Sequence, residues 1–350
     1  MKIVFCITGV TGQDGSYAAE ILLLAGIKVI GLTRDTSKKI DNLQNIYNNK
    51  NFEFIQTDYS HNSLDSIIKD YKITNIMNFC GQSYVSRSWE QIEETISSQA
   101  IIIIRLINII KTCDWPIKLI NSSSSEIYSE SIDPRNELSN KSPCNPYGCA
   151  QQLAYNLIKS FRNTKQLWLA SAILFPHESL RRKKDFLFQR LLSQVDEVLI
   201  GSSENIIIGN PFIIRDWGFA VEYVYYMLLI MFLDSPIDIN LCTGVGYTVA
   251  EFASSICNEY NLNINNLLLT DPSLSRQYEP QSVIGDNTKL ISTLKINKPK
   301  RMKLMVKELI SIRKNLANSK TIIDQVTDYL SDEQINFITN NKNLFLNEVL

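Results

Sequence analysis

Two short segments carry side chains suited to hydrogen bonding and proton transfer. The first, SSSSEIY, places the hydroxyl of Ser124 two residues before the carboxylate of Glu126. The second, NPYGCAQ, holds Tyr147 and Gln151, which are four residues apart and therefore share one face of a helix. A phenol, a hydroxyl and a carboxylate that meet at one ligand form a set able to move protons. A serine run is also a common loop sequence, and Glu126 has the alternative role of capping a turn.

The predicted strands and helices around these segments indicate whether the serine run and Glu126 belong to a functional site or to an ordinary loop. Apolar, β-prone runs alternate with helical patterns, such as those at 16–24 and about 91–112, and they predict strands at 2–8, 28–33, 52–57, 73–79, 116–122 and 166–175. With the sixth run the sheet is largely complete. The last residues of parallel strands point into the ligand crevice of such a sheet. Because Ser124 and Glu126 follow a buried strand of this kind, the functional interpretation is favoured.

The first strand leads into glycines at three-residue spacing, Gly9, Gly12 and Gly15, and then into a helix. Glycines let the backbone turn sharply and approach a pyrophosphate, whose charge is stabilised by the helix N-terminus. The alternative is an ordinary glycine turn between a strand and a helix. The position of the turn in the first βα unit of an alternating chain favours a dinucleotide site.

Three further positions bear on the cofactor. The second strand ends in Arg34 and Asp35, where a cation accommodates the 2′-phosphate of NADP and an acid prefers the free hydroxyl of NAD. The order of the pair favours NADP over NAD. Asp58 follows the third strand, where it would either accept from the adenine amino group or act as a helix N-cap.

Composition excludes several classes of protein. The chain has 350 residues, enough for one large domain or two intimate ones, and a formal net charge of -1, which argues against a nucleic-acid partner. Seven cysteines without a Cys-x-x-Cys pair indicate reduced thiols in a cytoplasmic protein, and with only two histidines no metal site is expected. The longest apolar run, 223–233, is too short to span a bilayer, so no membrane association is expected.

Seven segments of the chain carry a more specific signal than the glycine turn alone. In chain order they are GVTGQDGSYAAE, CGQSYV, SSSSEIY, NPYGCAQ, HESLRR, GNPFIIRDWGFAVEYV and RQYEPQSVIGD. Together they resemble the GDP-mannose 4,6-dehydratase family of extended short-chain dehydrogenases/reductases. The resemblance covers about residues 1–315, and TGQDGSY, HES followed by RR, and RDWG are more specific than the glycine turn.

The resemblance implies an α/β fold with a Rossmann-type doubly wound parallel sheet and a smaller C-terminal mixed α/β substrate domain. The dinucleotide-binding domain would comprise 1–176 and about 209–242, and the substrate domain about 177–208 and 243–318. Residues 319–350 lie outside the resemblance and read as a helical C-terminal extension of one or two amphipathic helices. The family also implies a homodimer or homotetramer.

The implied reaction converts a GDP-sugar to a GDP-4-keto-6-deoxy sugar, with a bound NADP reduced and reoxidised in one turnover. By position, Ser124 replaces an active-site threonine, Glu126 matches the base that acts at C5, and Tyr147 matches the base that takes the 4-hydroxyl proton. Gln151 stands where the family has a lysine that binds the nicotinamide ribose and lowers the pKa of the tyrosine.

The remaining implied site residues fall into two sets. The cofactor set is Gly9, Thr11, Gly12, Gln13, Asp14, Gly15, Arg34, Asp58, Phe79, Gly81, Ser83, Tyr147, Gln151, His177 and Arg182. The substrate set is Ser83, Ser124, Glu126, Tyr147, Glu178, Arg215, Arg276 and Glu279. Arginine suits the diphosphate because its fork can donate two parallel hydrogen bonds, although Arg215 followed by Asp216 could also be a local ion pair.

The departures from the family leave three hypotheses. Besides Gln151, they are Asp35 in place of an arginine, Glu94 in place of a tyrosine and Pro176 in place of an asparagine that binds the sugar. The first hypothesis is a dehydratase of GDP-mannose or of a similar GDP-hexose or GDP-heptose. The second is a catalytically impaired pseudoenzyme that binds NADP or GDP-sugar as a regulatory or assembly subunit. The third, an epimerase or reductase of the same superfamily, is disfavoured by Glu126.

Overall fold

The structure is a computed structural model that describes residues 1–35, 41–131, 133–274, 278–317 and 323–346. Within these ranges the strands are, in chain order, β1 (Val4–Thr8), β2 (Lys28–Thr33), β3 (Phe52–Gln56), β4 (Asn75–Asn78), β5 (Lys118–Ser124), β6 (Leu169–Leu174), β7 (His177–Glu178), β8 (Ile206–Ile208), β9 (Ile214–Arg215), β10 (Gly218–Phe219), β11 (Asp238–Leu241), β12 (Tyr247–Thr248), β13 (Leu268–Thr270) and β14 (Ser282–Val283). The helices are α1 (Gln13–Leu24), α2 (His61–Asp70), α3 (Ile92–Ile96), α4 (Ile102–Ile110), α5 (Pro146–Lys165), α6 (Leu187–Leu199), α7 (Ala220–Met231), α8 (Val249–Asn258), α9 (Thr288–Leu294), α10 (Met302–Ala317) and α11 (Asp332–Asn341).

Seven strands form one parallel sheet in the order β11-β6-β5-β4-β1-β2-β3. From β1 the chain moves outward through β2 and β3, then returns to β4 and continues in the other direction. The strand order therefore reverses between β1 and β4, and ligands bind doubly wound sheets outside the carboxyl ends of the strands at such a point. The predicted Rossmann-type α/β fold is confirmed.

Side-chain alternation along β1 explains why the sheet is covered on both faces. Phe5 and Ile7 belong to one buried cluster with residues of α1 and α7, whereas Val4 and Cys6 belong to another with residues of α2, α4 and α5. The apolar run at 223–233 thus lies mostly in the buried helix α7. Among the residues that the structure describes, no helix is long and apolar enough to cross a membrane.

Most of the predicted element boundaries differ from the structure by one to three residues, and three differences bear on the sheet or the site. Strand β5 continues to Ser124, so this serine is the last residue of the strand rather than part of the loop after it. The sheet is not complete after β6, because β11 (Asp238–Leu241) pairs in parallel with β6 and forms an edge. The helix expected over about 91–112 is interrupted between α3 and α4 by one π-helical turn, Ser97–Ile101.

The remaining strands form small sheets beside the large one. Strands β12, β9 and β14 pair with mixed direction, β13 pairs with β8, and β10 pairs with β7. The short length of these strands fits a mixed α/β substrate region. The domain bounds given above stay a prediction.

The C-terminal segment packs against the large sheet and its helices. The Phe345 ring stacks on Phe232 with centroids 4.0 Å apart and contacts Phe5 edge-on at 4.9 Å. The Asp324 carboxylate, 1% exposed, accepts from Tyr17 Oη at 2.5 Å and from Arg181 Nε at 3.3 Å. The described part of the extension contains one α-helix, α11, and is a packing element of the core.

Candidate active site

The glycine turn between β1 and α1 contains a position where a side chain would clash with the backbone. Gly9 has a φ of +67°, and a Cβ added there would lie 2.8 Å from the Phe79 carbonyl oxygen. Helix α1 then begins at Gln13, earlier than the predicted 16–24. Its N-cap is Gly12, and no side chain accepts a capping hydrogen bond from the first N–H groups of the helix. Its first N–H groups are thus available to an anion.

The residues around this turn line one elongated cavity. They are Gly9, Thr11, Gly12, Gln13, Asp14, Gly15, Arg34, Phe79, Gly81, Ser83 and Arg182, all of which the sequence assigned to the cofactor. Asp58 does not line it; its exposed carboxylate accepts from the backbone N–H of Ser60 at 2.9 Å, and Ser60 is the N-cap of α2. The N-cap alternative for Asp58 is therefore wrong, and its contact with adenine stays a prediction.

Arg34 is engaged by the residue that replaces the family tyrosine. Its Nη1 lies 2.6 Å from Glu94 Oε1, and both side chains are about half exposed. The hydrogen bond to Glu94 raises the pKa of Arg34. A 2′-phosphate at this position would compete with a carboxylate for the same guanidinium.

A second cavity adjoins the first at the ends of β5 and β6. Its lining brings together residues that are far apart in sequence: Asp14, Phe79, Gly81, Ser83, Ser124, Glu126, Tyr147, Gln151, His177, Glu178, Arg182, Arg215 and Glu279. These include all four residues to which the family resemblance assigns a catalytic role, Ser124, Glu126, Tyr147 and Gln151. Arg276 lies outside the described residues.

Tyr147 stands in the first turn of α5. The helix begins after Asn145, whose side chain accepts from the Gly148 N–H at 2.8 Å, and Pro146 follows at the first helical position. Burial raises the pKa of Tyr147 above its ordinary value, whereas hydrogen bonds with Ser124 and Gln151 act in the opposite direction. The phenol and the Ser124 hydroxyl thus interact at the wall of the same cavity.

Glu126 is held by a residue that sequence reasoning missed. Asn145 Nδ2 donates to Glu126 Oε2 over 2.8 Å. The backbone N–H of Glu126 donates to Ser124 Oγ at 3.2 Å, so the cap of this short turn is Ser124 and the alternative capping role of Glu126 is wrong. An N-cap asparagine before a proline is a recognisable signal for a helix start, but not for a contact with Glu126.

Gln99 is the second missed residue. It is 7% exposed and lies on the π-helical turn. Gln151 Nε2 donates to Gln99 Oε1 at 2.7 Å and to Tyr147 Oη at 3.3 Å. Nothing in the sequence pattern separates Gln99 from the apolar helix around it.

His177 and Asp14 form an ion pair at the junction of the two cavities. His177 Nδ1 donates to the Phe175 carbonyl at 2.7 Å, and Nε2 lies 3.1 Å from Asp14 Oδ2. Burial disfavours the imidazolium, but the Asp14 carboxylate attracts it, and the pKa of His177 is raised. Both ring nitrogens then act as donors.

The far wall of the second cavity carries two acid–arginine pairs. Arg215 Nη2 lies 3.0 Å from Glu279 Oε1, and Arg182 Nε lies 3.8 Å from Glu178 Oε2. Burial raises the pKa of Glu178 to about 7. The alternative pairing of Arg215 with Asp216 is wrong, since Asp216 accepts instead from the Thr243 hydroxyl at 2.6 Å. Within the described residues no cluster of metal ligands occurs.

Comparison with known proteins agrees with this geometry. A family model described as GDP-mannose 4,6 dehydratase matches residues 6–309. A GDP-mannose 4,6 dehydratase of Cricetulus griseus is 35% identical over 71% of this chain and 70% of its own length, and GDP-mannose 4,6 dehydratase 2 of Caenorhabditis elegans is 30% identical over 88% and 89%. None of these comparisons supports the pseudoenzyme alternative.

Solved structures resemble the chain at the level of the fold. A UDP-glucuronic acid 4-epimerase from Bacillus cereus, in complex with UDP-glucuronic acid and NAD, superposes with a TM-score of 0.79 at 18% identity, covering 90% of this chain and 100% of its own. A dTDP-glucose 4,6-dehydratase from Bacillus anthracis in complex with NAD gives 0.77 at 17% identity, covering 92% and 100%. The family model and the sequence relatives place the chain in the GDP-mannose 4,6-dehydratase family.

Proposed function

We propose that the protein converts GDP-mannose, or a similar GDP-hexose or GDP-heptose, to the GDP-4-keto-6-deoxy sugar. The observation that carries the proposal is the meeting of Ser124, Glu126 and Tyr147 in one cavity that adjoins the glycine-turn cavity. A hydroxyl, a carboxylate and a phenol at the mouth of a dinucleotide cleft supply the proton transfers that a 4,6-dehydration requires.

The residues present fit a nicotinamide dinucleotide. The uncapped start of α1 suits the pyrophosphate, and Gln151 Oε1 is buried without a hydrogen-bond partner among the described residues, which suits a ribose hydroxyl. We propose NADP in preference to NAD: Arg34 and Asp35 both line the cavity, and the guanidinium of Arg34 can donate hydrogen bonds to a 2′-phosphate. When bound, the nicotinamide would supply a reversible hydride acceptor for the oxidation at C4 and the reduction at C6.

Tyr147 and Ser124 act on the first step. The Tyr147 oxygen accepts the 4-hydroxyl proton as C4 becomes a carbonyl, and the Ser124 hydroxyl donates a hydrogen bond to the same sugar oxygen. Both groups lie at the cavity wall, and Tyr147 receives an N–H bond from Gln151 that favours its anionic form.

Glu126 acts on the second step. The new carbonyl acidifies the neighbouring C5–H, and the carboxylate removes that proton; hydroxide leaves C6 with a proton from the same carboxyl group, so that one water is lost. Asn145 holds Oε2 of Glu126 at 2.8 Å and fixes its orientation. A proton is then added to C5 and balances the one that Tyr147 took from the 4-hydroxyl, and with the hydride restored at C6 the reaction has no net oxidation.

The nucleotide end of the substrate would lie against the charged wall. Arg215 and Glu279 line both the catalytic cavity and the cavity next to it, and we assign the diphosphate to Arg215, with Arg276 as a further proposed contact. Glu178 and Ser83 are proposed to contact the sugar.

We also propose that the chain forms a homodimer or homotetramer. An apolar surface of Trp89, Ile92, Ile96 and Leu153 lies on α3, α5 and the turn before α3, and each of these side chains is at least 37% exposed. A second copy would cover such a surface.

The experiment uses GDP-mannose carrying deuterium at C4. With NADP and the purified chain, the substrate should lose one water. The product should carry the deuterium at C6, since the hydride is returned within one active site. The matched control is Glu126→Gln, which keeps shape and the contact with Asn145 but cannot remove the C5 proton. If neither GDP-mannose nor a GDP-heptose loses water with the unaltered chain, the proposal is wrong.

A further inference from the structure

Four groups in the catalytic cavity form a chain of hydrogen bonds that no sequence pattern announces. Gln99 Nε2 donates to the backbone carbonyl of Gln82 at 2.7 Å. Gln99 Oε1 accepts from Gln151 Nε2 at 2.7 Å, and the same nitrogen donates to Tyr147 Oη at 3.3 Å. Gln99 and Gln151 are 7% and 2% exposed, so water does not substitute for these partners.

The backbone carbonyl at one end sets the direction of the whole chain. A carbonyl only accepts, so Gln99 must turn its NH₂ group toward Gln82. Its own carbonyl oxygen then faces Gln151, which must turn its NH₂ group toward Gln99. The amide of Gln151 therefore presents a donor to Tyr147 and leaves Oε1 without a partner among the described residues.

We infer that Gln99 is a positioning residue, which keeps the N–H group of Gln151, rather than its carbonyl oxygen, against the Tyr147 hydroxyl. Without Gln99, the Gln151 amide can turn over and accept a hydrogen bond from the Tyr147 hydroxyl, which stabilises the neutral phenol, raises its pKa and lowers the fraction of ionised base at neutral pH. The inference rests on the proposed function, because Tyr147 is the base of that reaction.

A π-helical turn and a glycine allow the Gln99 side chain to reach the catalytic cavity. The π-helical turn Ser97–Ile101 inserts an extra residue between α3 and α4 and directs Gln99 into the cavity. The Gln99 amide then packs directly on Gly81, where a Cβ would overlap it. Gly81 therefore serves the glutamine as well as the cofactor cavity that it lines.

A double-mutant cycle separates positioning from packing. The four chains are the natural one, Gln99→Met, Gln151→Lys and the double variant; methionine keeps the length of glutamine without its amide. An ammonium group has three donors and no acceptor, so a lysine needs no partner to orient it. Gln99→Met should raise the apparent pKa of the acid limb of kcat by about one unit and lower kcat at pH 7 about tenfold. In the Gln151→Lys background, Gln99→Met should change kcat less than about twofold.

The control is Gln152→Met, the next residue of α5, whose amide donates to the Lys141 carbonyl at 2.6 Å, and it should leave the pH profile unchanged. If Gln99→Met does not fold, Gln99→Asn carries the same test, because the shorter amide cannot reach Gln82 and Gln151 together. Equal fractional losses in the two backgrounds would overturn the inference.

The cycle also has a readout that does not depend on the proposed substrate. The free Gln151 Oε1 faces a ribose hydroxyl of NADP in the proposed complex, so loss of its orientation weakens binding. Fluorescence titration with NADP should show about fivefold weaker binding for Gln99→Met in the natural chain and less than about twofold in the Gln151→Lys background. If no chain dehydrates a GDP-sugar, the proposed function fails, and these affinities alone decide the inference.

Discussion

Replacing Gln151 by lysine should lower the pKa of Tyr147 and so increase the fraction of Tyr147 that is ionised and able to act as a base at neutral pH. An unperturbed tyrosine is ionised to about one part in a thousand at pH 7. Burial raises the pKa of Tyr147 further, and Gln151 offsets this only through a neutral hydrogen bond of 3.3 Å. The fraction of active base in the natural chain therefore rises with pH throughout the neutral range.

The size of the effect follows from the distance. A unit charge about 4 Å from the phenolate is worth about 4 kcal/mol at an effective dielectric constant of about 20, or about three pKa units. Burial of the ammonium offsets part of this gain. We expect a net decrease of one to two units in the pKa of Tyr147, and about 10- to 100-fold higher kcat at pH 7.

The assay is kcat for GDP-mannose dehydration from pH 6 to 10. The acid limb of Gln151→Lys should lie about one to two units below that of the natural chain. Gln152→Lys is the matched control, because it adds the same charge one residue along α5, where the side chain is only partly buried. An unshifted acid limb with a normal fold would refute the assignment of Tyr147 as the base whose ionisation limits the rate.

Three other substitutions test separate parts of the structure. Glu94→Gln releases Arg34 from its 2.6 Å ion pair and should strengthen NADP binding about two- to fivefold without changing NAD binding, measured by paired titrations; equal changes for both would exclude the 2′-phosphate as the competitor. Asn145→Ala removes both the N-cap of α5 and the donor to the catalytic carboxylate, so thermal unfolding should show about 1 kcal/mol lower stability and kcat should fall about tenfold or more; a loss of stability alone would contradict the second role. Asp324→Asn leaves Arg181, 4% exposed, with one fewer carboxylate and should cost about 3 kcal/mol in denaturant unfolding; an unchanged midpoint would show that the C-terminal segment does not stabilise the core.

The fold was predictable because its signals are local. The apolar run at 28–33 gave β2 with the bounds that the structure has, and the three glycines predicted the turn at the ligand crevice. Strand β11 (Asp238–Leu241) was missed because a four-residue strand carries a weak local pattern. Its place in the sheet depends on pairing with β6, which is a long-range contact.

The site was predictable where chemistry accompanies a strand or helix end, as for Ser124 and Tyr147. Gln99 and the Glu94 contact of Arg34 were not, because both join segments about 50 to 60 residues apart. A π-helical turn also changes which residues face the cavity without altering the apolar composition of the helix. Such contacts become visible only when the packing of α3 and α4 is known.

In the natural chain Gln151 carries no charge, and Arg182 is a cation that acts on Tyr147. Its charge opposes the effect of burial on the tyrosine pKa, and its guanidinium stacks on Phe186 at 3.7 Å. Glu178 Oε2 lies 3.8 Å from Arg182 Nε, and burial raises the pKa of Glu178 to about 7. Above neutral pH the Glu178 carboxylate therefore neutralises the charge of Arg182, and below neutral pH the protonated acid no longer does. The two effects oppose each other, since lower pH protonates Tyr147 while it restores the field that favours the phenolate. A chain without the lysine should therefore show a shallower acid limb than one in which a fixed ammonium supplies the charge.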